Sequence, residues 1–139
     1  MRALTFNPHQ DQFHMADIPV PKPGDSDVLV KVEACGLNPV DAKIRLWKSM
    51  VPAMDETWVP GLDVSGHIVE IGKDVKGWNV GDRVLYHGNM FRPHGGLAEY
   101  AIQDSQTLIS HPNLPAEAAV ARRYPEEFRN FNGRPCAFA

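Results

Sequence analysis

The residues of this chain best suited to chemistry sit in one short stretch, Cys35-Gly36-Leu37-Asn38-Pro39-Val40-Asp41-Ala42-Lys43-Ile44-Arg45. Asn38 carries an amide, which donates and accepts, so it is able to hold a hydroxyl or a carbonyl. It also precedes Pro39, and Asn followed by Pro is a favoured helix start. A cap uses one amide atom and leaves the other free, so the two roles are compatible. Asp41 falls at the third helical position. There a carboxylate suits the helix dipole, and Arg45 stands one turn on as an ion-pair partner. Cys35 reads as a buried, inert thiol. Beyond this stretch, Asp63 is expected to be a buried polar group satisfied by backbone amides, with no catalytic part. His87 and His94 flank a glycine-rich loop containing Met90 and Phe91. That loop either lines a cleft or lies on the surface. His9, His14, His67 and His111 show no metal-ligand spacing, and Trp47, Trp58 and Trp78 read as core or cleft walls.

The elements that position these residues are mostly strands. Met1–Phe6 alternates weakly, and Gln12–Val20 fits an edge strand. Two prolines and a glycine in Pro21-Lys22-Pro23-Gly24 exclude a ladder there. Asp27–Ala34 alternates clearly, with Val28, Val30 and Val32 on one face and Leu29, Lys31 and Glu33 on the other. It delivers the chain to the Asn38 turn. The helix that follows carries Val40, Ile44 and Trp47 along one stripe. Ser49–Trp58 reads as an irregular loop. Pro60–Gly72 reads as a strand whose glycines suggest a bend or close backbone approach. Val80–Tyr86, Leu97–Gln103 and Thr107–Ser110 supply further strands, and Pro115–Ala121 a last helix. Twelve prolines and eleven glycines among 139 residues punctuate these runs. The pattern predicts a small β-barrel-like domain.

Composition narrows the function. The net charge is −3 and no Lys/Arg run exceeds two residues, so nucleic acid is not expected as a partner. No apolar run has the length of a membrane span, so no membrane is expected either. The start lacks a signal-like apolar core, and two distant cysteines, Cys35 and Cys136, read as free thiols. Both point to the cytoplasm.

Four segments then occur in a familiar order: VLVKVEACGLNPVD, PGLDVSGHIVEIGKDV, WNVGDRV and GGLAEYAIQD. In this set the chain resembles the N-terminal, GroES-like catalytic domain of the medium-chain dehydrogenases/reductases. The resemblance covers roughly residues 1–121. It implies a mainly β fold, a partly open GroES-like barrel with one or two short helices. Within the family the sequence is similar to the zinc-independent branch, the quinone oxidoreductases and related reductases. Zinc-dependent relatives place a ligand cysteine where this chain has Asn38, and Gly-His-Glu where it has Gly61-Leu62-Asp63. Leucine offers no lone pair, and an amide is a poor substitute for a thiolate. No zinc is therefore expected.

By the same resemblance, Asn38 and Asp41 are the candidate catalytic residues. Asn38 faces nicotinamide and substrate, and Asp41 matches an acid that supports the metal in zinc-bearing relatives. Pro39, Val40 and Lys43 match the stretch flanking the nicotinamide. Many quinone oxidoreductases have a tyrosine at the position of Lys43. The implied cofactor of an intact member is NADPH or NADH, and the implied substrate a small carbonyl compound or quinone. The cofactor's pyrophosphate needs a Gly-rich phosphate loop, and no Gly-x-Gly-x-x-Gly occurs here. Neither cofactor is thus expected to bind tightly to this chain. Residues 122–139 match nothing expected after the barrel, which suggests a truncation or frameshift. Self-association through the exposed interdomain face is the alternative to catalysis.

Overall fold

The computed structural model describes residues 1–122. Seven strands and three short α-helices follow one another as β1 (Arg2–Asn7), β2 (Gln12–Asp17), β3 (Asp27–Gly36), α1 (Pro39–Ala42), α2 (Ile44–Trp47), β4 (Asp63–Ile71), β5 (Arg83–His87), β6 (Tyr100–Asp104), β7 (Ile109–Ser110) and α3 (Ala116–Arg122). Two 3-10 turns, Lys48–Met50 and Ser105–Thr107, complete the set. Short helices in a mainly β chain agree with the expected fold class, and among the described residues they number three.

All strand pairing is antiparallel. One sheet runs β6-β3-β4-β5-β7, and β1 and β2 form a separate hairpin. Single bridges Ala3–Ala98 and Phe6–Trp58 tie the hairpin to the rest. The sheets do not close, so the barrel is partly open as the fold class implied.

One core fills the sheet: Val28, Val30, Val64, Ile68, Val84, Tyr86 and Leu108. The alternation expected in β3 holds for Val28 and Val30. Leu29, on the other face, is also buried, so the start of this strand is covered on both sides. A second core collects Phe6, Ile44, Trp47, Val51, Met54 and Trp58. The stretch 49–58 is irregular, yet it supplies half of that core. Full burial of such side chains stabilises by about 1.5–3 kcal/mol each. A small third cluster sets Leu85 of β5 against Ala119 and Val120 of α3.

The helix after Asn38 breaks at Lys43, whose φ of −91° and ψ of 14° leave the helical basin. The Val40 carbonyl accepts the Trp47 indole N–H at 2.9 Å. That occupies the acceptor a continuous helix would offer to the Ile44 N–H. The apolar stripe survives the break, with Ile44 and Trp47 buried.

Strand register sets up the site. Gly36 of β3 pairs with Asp63 of β4, and Asp63 pairs with His87 of β5. The end of β3, the start of β4 and the end of β5 therefore lie side by side. The alternation of β5 puts His87 on the face of Leu85, the face that α3 packs against.

Candidate functional site

Asn38 ends the β3 turn with extended backbone, φ −111° and ψ 158°, and stands at the N-cap of α1. Its backbone N–H donates to Asp41 Oδ2 at 2.8 Å. Its side chain turns elsewhere: Nδ2 donates to Asp63 Oδ2 at 2.8 Å. Asp63 is 1% exposed. Its second oxygen, Oδ1, meets His87 Nδ1 at 2.6 Å. A buried carboxylate only accepts, so the facing amide and imidazole nitrogens both donate. The expectation that backbone amides satisfy Asp63 is corrected: two side chains do.

Asp41 is buried as well, and it holds the turn. It takes the Asn38 N–H on one oxygen and the Gly61 N–H, at 3.1 Å, on the other. The expected partner Arg45 bonds the Asp11 carbonyl instead. Burial pushes the Asp41 carboxyl above its ordinary value. The two N–H donors and His87 pull it down, and the charge of Asp63 adds to the rise. Gly61 can approach because it lacks a side chain. At φ +105°, a Cβ there would lie 2.7 Å from Leu97 N and 2.8 Å from Cys35 Sγ.

Of the other candidates, Pro39 and Lys43 are exposed and Val40 is half-buried. They form the outer rim of the same turn. Cys35 lies beneath it, and burial together with the negative charges of Asp41 and Asp63 raises its thiol to about 12. Such a thiol is inert at neutral pH. Cys136 lies outside the described residues.

The two loop histidines separate. His87 joins Asp63, with its side chain 41% exposed. His94 sits at a positive φ of 65° and lines a cavity of about 20 Å³ with Asp41, Tyr86 and Gln103. That is room for one water. Burial lowers the pKa of His94. The loop between them is pinned, because Arg92 forks onto both oxygens of Asp27 at 2.7 and 3.1 Å. Sequence reasoning missed the Asp63–His87 pair. Its signal was a carboxylate at the start of an apolar strand and a histidine at the end of the next strand, and only the register joins them.

Comparison with known proteins identifies the scaffold. Residues 24–113 match the alcohol dehydrogenase GroES-like domain. The chain belongs to that family. This GroES-like domain is 41% identical to a quinone oxidoreductase of Sus scrofa over 113 residues, 81% of this chain and 33% of the relative. It superposes on the quinone oxidoreductase from Coxiella burnetii with a TM-score of 0.70 at 29% identity, covering 84% of this chain and 39% of that one. An alcohol dehydrogenase superfamily protein from Novosphingobium aromaticivorans gives a TM-score of 0.71 at 30% identity, over 84% of this chain and 36% of that one. The chain thus spans about a third of the length of the relatives it matches. Among the described residues, no helix is long and apolar enough to cross a membrane.

Proposed function

We propose that this domain supplies the substrate-side wall of a zinc-independent, NAD(P)H-dependent reductase acting on quinones, enals or enones in the cytoplasm. The observation that carries this reading is the Asn38 amide fixed by Asp63, at the position where zinc-dependent relatives hold a thiolate. The donor set does not fit zinc: Leu62 has no lone pair, and the Asn38 NH2 group is turned onto a carboxylate. No step is therefore routed through a metal.

In this reading the nicotinamide supplies a hydride when bound. Pro39, Val40 and the exposed Lys43 would form the rim beside it. Asn38 Nδ2 spends one N–H on Asp63 and keeps a second. That second N–H stabilises negative charge developing on a substrate oxygen, and its orientation is set in advance. Asp41 is a positioning residue, holding the backbone of the turn from below.

The test joins this chain to the nucleotide-binding part of a quinone oxidoreductase relative and follows NADPH oxidation with a benzoquinone and an enone. Turnover is expected, and Asn38→Ala should lower kcat/KM by about 10- to 100-fold, a loss of about 1.4–2.7 kcal/mol. The unfused chain should give background oxidation and no calorimetric NADPH binding. An inactive fusion, or stoichiometric zinc in the purified chain, overturns the reading. The exposed apolar residues Leu37, Leu46 and Phe91 favour self-association as the competing role. A gel-filtration profile that shifts with concentration would support it, and a constant monomer would exclude it.

A further inference from the structure

We propose that Asp63 and His87 form a proton-donating dyad serving the reduction, with His87 as the acid and Asp63 as its positioning residue. This rests on the reductase reading, which by itself names no source for the proton. Hydride addition to a quinone or enone leaves an oxyanion or enolate, and a proton must follow to complete it.

The geometry points to His87. Its Nδ1 lies 2.6 Å from Asp63 Oδ1, and Asp63 is otherwise held by Asn38. A buried carboxylate there fixes the imidazole with its proton on Nδ1. The second nitrogen, Nε2, is thereby turned away from Asp63, on a side chain that is 41% exposed. Asp63 from β4 and Asp41 from α1 are the charged groups that face the ring. Asn38 and His87 take the two oxygens of one carboxylate, and on this proposal a carbonyl held by the Asn38 amide comes within reach of the imidazole. This carboxylate–imidazole arrangement is the usual one for general acid–base work. It also occurs behind metal ligands. A metal needs further donors, however, and among the described residues no three His, Cys, Asp or Glu side chains group to hold one.

The step balances. The hydride, one proton with two electrons, would come from the nicotinamide of a bound NAD(P)H. The Nε2–H bond of the imidazolium breaks, and an O–H or C–H bond forms on the product. Neutral His87 then regains its proton from solvent.

Two measurements decide the matter. In the 15N-labelled chain at about pH 8, long-range proton–nitrogen spectra should show neutral His87 protonated on Nδ1. Asp63→Asn should abolish that preference, since a carboxamide puts an oxygen on one side and an NH2 on the other, and so accepts at only one of the two places that Asn38 and His87 now face. In the fusion described above, His87→Gln should lower kcat about 100-fold, with partial rescue by added imidazole. A purely structural role would show no such rescue. A wild-type ring protonated on Nε2, or a His87→Gln enzyme within twofold of wild type, overturns the dyad and leaves the reductase reading intact. A wild-type fusion without turnover overturns the reading and the dyad with it.

Discussion

Replacing Asp41 tests whether the turn is held from beneath. In Asp41→Ala, the Asn38 and Gly61 N–H groups both lose their acceptor. A buried donor left unpaired costs about 1–3 kcal/mol. The Gly61 N–H is buried and takes the full penalty, whereas the part-buried Asn38 N–H recovers some of it from water. Removing a carboxylate that burial disfavours offsets another part, leaving a net loss of about 2–3 kcal/mol. For a domain of this size that is a fall in Tm of about 6–15 °C. Asp41→Asn keeps one acceptor and should lose about half as much. The pH dependence has a definite sign. Folding raises the Asp41 pKa above its ordinary 3.8, because burial outweighs the hydrogen bonds. The native state then holds this proton more tightly than the unfolded chain. Stability from this group is gained as pH falls through the window between the raised value and 3.8, and lost as pH rises through it. The gap between wild type and Asp41→Asn should therefore widen toward acid. Urea unfolding followed by far-UV circular dichroism at about pH 7 and pH 4 measures both effects. An Asp41→Ala protein within about 0.5 kcal/mol of wild type, or a gap that narrows toward acid, would refute the reasoning.

Two further outcomes follow from packing. Gly66→Ala would set a Cβ 2.2 Å from the Lys31 carbonyl oxygen and 2.8 Å from Val30 Cγ1. Backbone cannot yield there, so a loss above about 3 kcal/mol is expected by urea titration. Gly77→Ala, at φ +80° in open space, should cost only about 1–2 kcal/mol. In a Cys136→Ser background, Cys35 should resist Ellman's reagent at about pH 8 and react promptly in denaturant, as a half-buried thiol raised to about 12 requires. Prompt native labelling would contradict that rise.

The fold was legible where a period could be counted. β3 and the stripe Val40, Ile44, Trp47 followed from alternation and helical spacing, and α3 starts within a residue of its expected place. Strand ends were less legible. The β2 run stops at Asp17, and β4 begins at Asp63 rather than Pro60, because neighbouring strands and loops decide where pairing ends. The helix break at Lys43 depends on an indole reaching a carbonyl seven residues back, which no local propensity encodes. The Asn38 turn was legible as a site from its residue types. The partners of Asp63 were not, since they come from positions 25 residues before it and 24 after it.

Those separations explain why the site is one unit. Asp63 is a charge taken out of water, and each of its oxygens has one side-chain donor. Withdraw Asn38 or His87 and a buried oxygen is left without that donor, a far larger penalty than the pair's own worth. The amide and the imidazole are therefore coupled through the carboxylate even though they come from different elements. The antiparallel register Gly36–Asp63–His87 sustains the coupling, bringing the ends of β3 and β5 to either side of β4. Gly36 permits it: a Cβ there would meet Val120 of α3 at 2.5 Å and Asp63 Cβ at 3.3 Å. Helix α3 can close down beside the network only because that position is bare. The polar site and the packing of the last described helix thus depend on the same glycine.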